Sequence, residues 1–159
     1  MWCTPNEKHG RQDIESITNE IEGKTFEEVK EYSSVFWARH TELMDFERYL
    51  KNIEKGELRI SRQKEIVQII EMKLNQYKNP WRDLKFSYGG SKGKAYNEDE
   101  DRFLICMTHK LGYGAWEELK AEIRKNWMFR FDWFIKSRTP QELGRRVESL
   151  IRMIEKESE

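Results

Sequence analysis

The sequence predicts an all-α protein of two small helical modules, the first incomplete, joined by a long helix. Thr25, Asn97 and Thr139 are each followed three residues later by a glutamate, which is the capping-box pattern that begins a helix. Apolar residues recur at intervals of three and four on both sides of these starts, as expected for amphipathic helices. A chain of 159 residues is long enough for one medium domain or two small ones.

The N-terminal part shows one weak and one strong helical pattern. Residues 1–9 have no helical pattern and are expected to be irregular. Ile14, Ile17 and Ile21 form a helical stripe. A helix then begins after Thr25, and its pattern continues to a weak point at Gly56.

A second long helical pattern extends over residues 57–77 and ends at Asn79-Pro80, because a residue before proline avoids the helical region. A glycine-marked segment follows it. We therefore divide the chain into a partial first module over residues 1–42, a spacer helix over 43–79, a linker over 80–95 and a second module over 96–159.

The second module contains three helix starts, and its last helix begins at Thr139-Pro140. On a helical wheel one narrow arc of this helix is apolar, and it comprises Leu143, Val147, Leu150, Ile151 and Ile154. The opposite face carries Arg145, Ser149, Arg152 and Lys156, with Arg146 on the flank of the arc. We expect a helix that packs on one side and whose other side is either an ordinary solvated face or a contact for a polyanion.

Charge is balanced overall, with 29 basic and 29 acidic residues, but it is unevenly distributed. Residues 11–37 contain three basic and seven acidic residues, whereas residues 124–152 contain eight basic and three acidic ones. The two ends are therefore expected to prefer different partners. With only two cysteines, a reducing compartment is favoured. The longest apolar run, residues 103–107, is too short to cross a membrane.

The motifs that suggest catalysis or cofactor binding fail on inspection. Residues 88–95 resemble a phosphate-binding loop, but Tyr88 and Ala95 replace its first glycine and its final Ser/Thr. The acidic run at residues 98–101 is expected at the start of a helix, where it offsets the helix dipole. His109 and Cys106 have no further ligands near them in the sequence. We predict no enzyme activity, no cofactor and no metal site.

The second module resembles the Myb/SANT repeat, with Tyr96, Trp116 and Val147 at the three positions where that repeat has tryptophans. The strings D-R-F-L-I-C-M-T-H-K-L-G, F-R-F-D-W-F-I-K-S-R-T and L-I-R-M-I-E-K-E look more like the SLIDE domain of ISWI (imitation-switch) chromatin-remodelling ATPases. Upstream, E-G-K-T-F-E-E-V-K-E-Y and V-F-W-A-R-H resemble the SANT domain of that family, and I-E-K-G-E-L-R-I-S-R resembles its spacer helix. The ATPase and HAND domains and the first SANT helix have no counterpart in the sequence.

The resemblance implies a nuclear module that binds nucleosomes and linker DNA without sequence preference, by contacts to the phosphate backbone. The candidate DNA-binding residues are Lys92, Lys94, Arg130, Lys136, Arg138, Arg145, Arg146 and Arg152. The candidate histone-binding residues are Glu27, Glu28 and Glu31. A different function remains open: an adaptor that binds histone tails or an accessory subunit of a remodelling complex. A Myb-like transcription factor that reads a defined site is a third possibility.

The segment between the second and third helices of this module contains five aromatic residues: Trp127, Phe129, Phe131, Trp133 and Phe134. Double-stranded DNA exposes no base faces on which they could stack. We therefore expect the segment to be buried against the third helix.

Overall fold

A computed structural model describes residues 3–88 and 96–158, and within these ranges every regular element is a helix. The helices are α1 (Cys3–His9), α2 (Ile14–Glu20), α3 (Phe26–Arg39), α4 (Phe46–Asn75), α5 (Pro80–Asp83), α6 (Glu98–Leu111), α7 (Trp116–Lys125), α8 (Trp133–Ser137) and α9 (Pro140–Glu157), with short 3-10 turns at His40–Glu42 and Trp127–Phe129. The all-α prediction is confirmed. The chain divides into an N-terminal unit, residues 1–63, and a C-terminal unit, residues 64–159.

The predicted helix starts are all present. Thr25, Asn97 and Thr139 each accept a hydrogen bond from the backbone N–H three residues on, and the glutamate there accepts one in return. Each box satisfies two backbone donors that the first turn of a helix would otherwise leave without partners. The starts of α3, α6 and α9 are therefore determined locally.

The N-terminal unit has a small apolar core, in which Ile17 of α2 and Val29 of α3 are buried. Ile53 of α4 is also buried within this unit. Arg11 is bound to the carboxylate of Glu57 by its side chain, at 2.8 Å to each carboxylate oxygen, and by its backbone N–H at 2.9 Å. This ion pair lowers the pKa of Glu57 below its usual value.

Two expectations for this unit were wrong. Residues 3–9 are not irregular but form α1, and α4 passes through Gly56 without a break. The reason lies in the contact between these two helices. A Cβ atom on Gly56 would sit 1.9 Å from the carbonyl oxygen of Glu7, so glycine here permits the backbones to touch. The interruption occurs earlier, between α3 and α4, where Asp45 adopts a positive φ of 62°.

The C-terminal unit has a much larger core. It is formed by residues 66–74 of α4, by α6, α7 and α9, and by Leu84 and Phe86 of the segment that precedes α6. The predicted apolar arc of α9 is confirmed, since all five of its residues are at most 2% exposed. Tyr96 and Trp116 pack against this core, and Val147 belongs to it. The three positions predicted from the Myb/SANT pattern are therefore core positions.

An internal ion pair connects α6 to α9 in this unit. Asp101 is fully buried, and its carboxylate accepts hydrogen bonds from Arg146 at 2.8 and 2.6 Å and from the Tyr88 hydroxyl at 2.8 Å. A second contact holds the end of α9, because Glu157 accepts from Lys73 and from the backbone N–H of Ser87, both at 2.5 Å. These contacts fix the orientation of α9 in the C-terminal unit.

Two kinds of feature are absent from the described residues. None of their helices combines the length and the apolar character that a membrane-crossing helix needs. No group of three or more His, Cys, Asp or Glu side chains among them is arranged to hold a metal ion. Cys106, which lies near His109 in sequence, is buried, and burial raises the pKa of its thiol to about 11.

Candidate nucleic-acid interface

Helix α9 is held rigidly, so the side chains on its outer face have defined positions. Thr139 caps the helix, Pro140 occupies its first turn, and five apolar residues anchor its inner face. Gly144 lies directly against Trp116, and a Cβ atom there would sit 2.9 Å from the indole ring. The close contact between α7 and α9 therefore depends on this glycine.

The outer face of α9 carries cations that have no partner within the described part of the protein. Arg145 and Arg152 are exposed, and neither forms an ion pair or a hydrogen bond with another described residue. Lys156, one turn beyond Arg152, is also exposed and has no such partner. An arginine in this state keeps all five N–H donors available to a phosphate.

Arg146, the neighbour of Arg145, is in the opposite state. Its side chain is 12% exposed, it binds both oxygens of Asp101, and its guanidinium lies 4.9 Å from the centre of the Tyr96 ring. Asp101 raises the pKa of Arg146 above its usual value. The donors that the sequence assigned to DNA are therefore engaged inside the protein.

Arg138 and Lys136 are half-buried and partly engaged. Arg138 donates to Glu142 at 3.0 Å and to the Phe134 carbonyl at 3.3 Å, and its guanidinium stacks on the Phe134 ring. The Lys136 ammonium donates to the carbonyl of Arg130 at 2.9 Å. A lysine has three donors, so this contact leaves donors of Lys136 available.

Arg130 lies on the exposed surface of the aromatic segment. Its guanidinium carbon is 3.8 Å from the centre of the Trp127 ring and 4.5 Å from that of Phe131. Stacking on the two rings holds the guanidinium plane in place, while its N–H donors remain available at the edges. Arg130 is therefore a second oriented cation in the C-terminal unit.

The expectation that the aromatic segment is buried was wrong for three of its five rings. Phe129 is buried and Phe134 half-buried, but Trp127, Phe131 and Trp133 are 74, 74 and 75% exposed. They line an open depression of about 660 Å³ together with Met128 and Arg130. Exposed aromatic patches of this kind on soluble proteins usually mark interaction sites.

The local sequence contained a signal for this arrangement. Asn126 accepts a hydrogen bond from the Met128 N–H, and Asp132 accepts one from the Ile135 N–H. Two caps six residues apart divide the segment into two short helical turns. Each turn directs one side chain into the core, Phe129 and Ile135 respectively, and leaves its neighbours in solvent.

The turn at Asp132 also faces a buried carboxyl group. Glu100 is 2% exposed, and burial, followed by a hydrogen bond shared with Asp132, raises its pKa to about 7. Near neutral pH the carboxyl group of Glu100 is therefore partly protonated. It lies at the start of α6, next to the aromatic segment.

The remaining predicted residues lie elsewhere. Lys92 and Lys94 fall outside the described residues. Glu27, Glu28 and Glu31 are exposed on α3 in the N-terminal unit. Glu28 is used by the Thr25 capping box and by an ion pair with Lys24, whereas Glu27 and Glu31 have no ion pair or hydrogen bond within the described ranges.

These features define a three-helix module with a cationic outer face on its third helix and an aromatic insert before it. The SLIDE family profile matches residues 47–158, which is most of the chain. The chain belongs to the SLIDE family, and the resemblance inferred from its motifs is confirmed.

The relatives of this chain are chromatin-remodelling ATPases. It is 61% identical over 153 residues to the ISWI chromatin-remodeling complex ATPase CHR17 of Arabidopsis thaliana, which covers 96% of this chain and 14% of the relative. It is 53% identical over 161 residues to the human SWI/SNF-related matrix-associated actin-dependent regulator of chromatin subfamily A member 1, covering 99% of this chain and 16% of the relative. Identity to ISW1 of Saccharomyces cerevisiae is 40%, over 98% of this chain and 14% of the relative.

The chain thus spans about one-seventh of the length of the relatives it matches. The matched segment belongs to their C-terminal part and not to the ATPase part, and SLIDE is a non-catalytic domain. The prediction of no enzyme activity agrees with this match, because the matched part of the relatives is the SLIDE part and not the ATPase part.

Proposed function

We propose that this chain is a DNA-binding module of an ISWI-type chromatin remodeller, which acts in the nucleus and holds the linker DNA of nucleosomes by its phosphate backbone. The observation that carries the proposal is the pair of exposed arginines, Arg145 and Arg152, on the outer face of a rigidly held helix. Because neither arginine forms an ion pair or hydrogen bond with another described residue, their donors are available to a polyanion.

In this proposal the cations have different roles. Arg145 and Arg152 grip phosphates directly, and Arg130, oriented by its two stacked rings, adds a third grip. Lys136 and Arg138 contribute their remaining donors, and Lys92 and Lys94 stay candidates for backbone contact. Arg146 orients α9 through Asp101 rather than serving as a free contact.

The contacts are proposed to be independent of sequence. Phosphate contacts position a protein on a duplex without reading bases. Side chains of base-reading type near the start of the outer face of α9, such as Gln141 and Arg145, are too few to specify a site. Specificity for linker DNA then comes from the geometry of the nucleosome.

The test is the binding of a random-sequence duplex over a range of salt concentrations. About five phosphate contacts predict a slope of about −4.5 in a plot of log K against log salt. Arg145→Gln with Arg152→Gln removes two contacts, so the slope becomes shallower by about 1.8 and affinity falls roughly 60-fold at about 0.1 M salt.

The matched control is Lys78→Gln with Lys110→Gln, which removes the same charge from exposed lysines outside α9. If the control loses as much affinity as the arginine variant, the outer face of α9 is not the binding surface. Strong preference for one sequence among scrambled competitors would instead support a transcription factor.

The exposed aromatic patch favours a second candidate function, in which the module docks an accessory subunit of the remodelling complex. The patch comprises Trp127, Phe131 and Trp133, with Arg130 and Lys136 beside it. We propose a partner segment that places apolar anchors on these rings and carboxylates on the two cations. This chemistry excludes a basic histone tail from the patch, and such tails are proposed to meet Glu27 and Glu31 of α3 instead.

The adaptor role is tested by calorimetric titration of purified accessory subunits with Trp127→Ala/Trp133→Ala. Loss of subunit binding with duplex binding retained would support docking at the patch. Unchanged subunit binding would contradict the proposal that an accessory subunit docks there. Titration of histone-tail peptides against Glu27→Gln/Glu31→Gln tests the acidic face separately.

A further inference from the structure

The first half of α4 carries a line of four cations that the sequence analysis did not assign. Arg48, Lys51, Lys55 and Arg59 are all exposed. At 3.6 residues per turn they fall within an arc of about 80°. The opposite face of this part of α4 packs inward through Ile53 and Gly56. The four residues therefore form one basic stripe on the outer side of the helix in the N-terminal unit.

The cations of the stripe are not paired within the described residues. None of its four side chains forms an ion pair or hydrogen bond there. Glu57 is engaged by Arg11, and Asp45, Glu47 and Glu54 are exposed near the borders of the stripe without pairing to it. The acidic residues alternate with the basic ones in sequence, so only the helical arrangement separates the two signs.

Most like-charge spacings within the stripe oppose the stability of the helix that bears it, and Glu47, four residues before Lys51, offsets this at one position. Lys51, Lys55 and Arg59 are spaced four residues apart, and like charges at this spacing repel. Arg48 lies in the first turn of α4, where the helix dipole disfavours a positive charge. Cations that weaken the helix on which they lie are explained if they bind a ligand rather than stabilise the fold.

The dimensions of the stripe fit a linear polyanion. From residue 48 to residue 59 the helix advances about 17 Å at 1.5 Å per residue. One strand of B-DNA presents a charge about every 3.4 Å of its axis, so about five phosphates lie along this distance. An open groove of about 650 Å³ runs beside the stripe. Its polar lining comprises Thr41, Asn52, the first three cations and, at one border, the carboxylates of Asp45 and Glu47. Thr41 and Asn52 add polar groups of the kind that bind phosphate and sugar oxygens.

We propose that the outer face of α4, through Arg48, Lys51, Lys55 and Arg59, is a second contact for the phosphate backbone of DNA, separate from the outer face of α9. The inference rests on the proposed function only in that the ligand is DNA. The residues, the helix and the unit are different, so the two surfaces succeed or fail independently.

The experiment compares four forms of the full chain on one random-sequence duplex, from about 50 to 200 mM salt. The stripe variant is Arg48→Gln/Lys51→Gln/Lys55→Gln/Arg59→Gln, and the α9 variant is Arg145→Gln/Arg152→Gln. A third form combines both sets. The matched control, Lys30→Gln/Lys78→Gln/Lys85→Gln/Lys110→Gln, removes four exposed positive charges outside α4 and α9.

With the four stripe contacts added to the five proposed above, the unmodified chain is expected to show a slope of about −8 rather than about −4.5. The stripe variant is expected to make the log–log slope shallower by about 3–4 relative to the control. The same change is expected in the α9 background. Its unfolding temperature is expected to be equal to or above that of the unmodified chain, because repulsion on α4 is removed. A well-folded stripe variant with the slope and affinity of the control overturns the proposal.

Comparison of the variants separates the two surfaces and the two classes of ligand. If the α9 variant weakens DNA binding strongly and the stripe variant does not, the stripe proposal alone is overturned. If the stripe variant weakens DNA binding and the α9 variant does not, the stripe proposal is supported and α9 is removed from the proposed function. Polyglutamate serves as an acidic protein probe. Loss of polyglutamate binding with duplex binding intact assigns the stripe to an acidic protein and overturns a DNA contact.

Discussion

The two units of the chain are stabilised by different means. Among the described residues of the C-terminal unit, nineteen form a buried apolar core, and Asp101 and Arg146 form a buried ion pair. Among the described residues, the N-terminal unit has a buried apolar cluster of Ile17 and Val29, with Ile53 buried apart from it. A backbone contact at Gly56 and the half-exposed ion pair Arg11–Glu57 add to this small core. This unit leaves large apolar side chains exposed: Phe26, Tyr32, Val35, Leu43, Met44, Tyr49 and Leu58.

This difference determines how strongly repulsion among exposed charges affects the stability of each unit. In the C-terminal unit the core and the contacts of Arg146 and Glu157 fix α9, so the helix does not depend on its outer arginines for its position. In the N-terminal unit few apolar contacts oppose the repulsion along the α4 stripe. Units with few buried apolar contacts open locally at lower free energy. We therefore expect amide exchange in α1 to α3 to be faster than in α6 to α9.

The largest effect is expected from breaking the buried ion pair. Asp101→Asn leaves the Arg146 guanidinium without its counter-charge, and loss of one partner of a buried pair costs about 3–5 kcal/mol. Urea unfolding followed by amide exchange in α6 and α9 measures this. The matched substitution Glu57→Gln, at a half-exposed pair, is expected to cost about 1 kcal/mol or less in the N-terminal unit.

A double variant separates the charge from the packing. Asp101→Leu with Arg146→Met removes both charges and keeps apolar bulk, so most of the lost stability is expected to return. If the double variant is as unstable as Asp101→Asn, the ion pair is not what Asp101 contributes.

The next effect contrasts the two close-contact glycines. Gly56→Ala places a Cβ against the backbone of α1, which cannot move aside without separating the helices, and we expect a cost of about 2–3 kcal/mol confined to the N-terminal unit. Gly144→Ala meets the Trp116 ring, which can shift, and alanine favours a helix by about 1 kcal/mol, so a net cost of about 1 kcal/mol is expected. Amide exchange in α1 measures the effect of Gly56→Ala, and amide exchange in α7 measures that of Gly144→Ala. Equal costs would show that the α1 backbone and the Trp116 ring move aside equally easily.

The smallest effect concerns pH and is confined to the C-terminal unit. The pKa of Glu100 is about 7 in the folded protein, above its value in an unfolded chain. Between about pH 4.5 and 7 the folded state therefore holds a proton that the unfolded state releases. Stability falls as pH rises through this window and is constant above it.

Glu100→Gln keeps the oxygen that accepts from the Asn97 N–H but has no charge to bury. We expect it to raise the stability of the C-terminal unit above pH 7 by on the order of 1 kcal/mol, with no difference below about pH 4.5. Urea midpoints across this pH range measure the difference. A parallel pair of curves would mean that Glu100 does not cause the pH dependence.

Features set by short-range interactions were predictable from the sequence. The capping boxes at Thr25, Asn97 and Thr139 involve atoms within four residues, and the apolar arc of α9 follows from helical periodicity alone. The family resemblance and the exposure of Arg145 and Arg152 follow from the same local patterns, since a helix with one apolar face must turn the other to solvent.

The remaining features required contacts between residues far apart in the chain. Arg145 and Arg146 are adjacent and chemically identical, yet only Arg146 meets a buried carboxylate, forty-five positions earlier. Residues 3–9 form α1, which packs against α4 at Gly56, where the missing side chain lets the two backbones touch. This contact also explains why α4 continues through that glycine. Trp127, Phe131 and Trp133 remain exposed because Phe129 and Ile135 already fill the core beneath them. Local sequence decides whether a helix forms and which face is apolar, whereas the tertiary structure decides which charges and rings find a partner inside the protein and which remain for an external one.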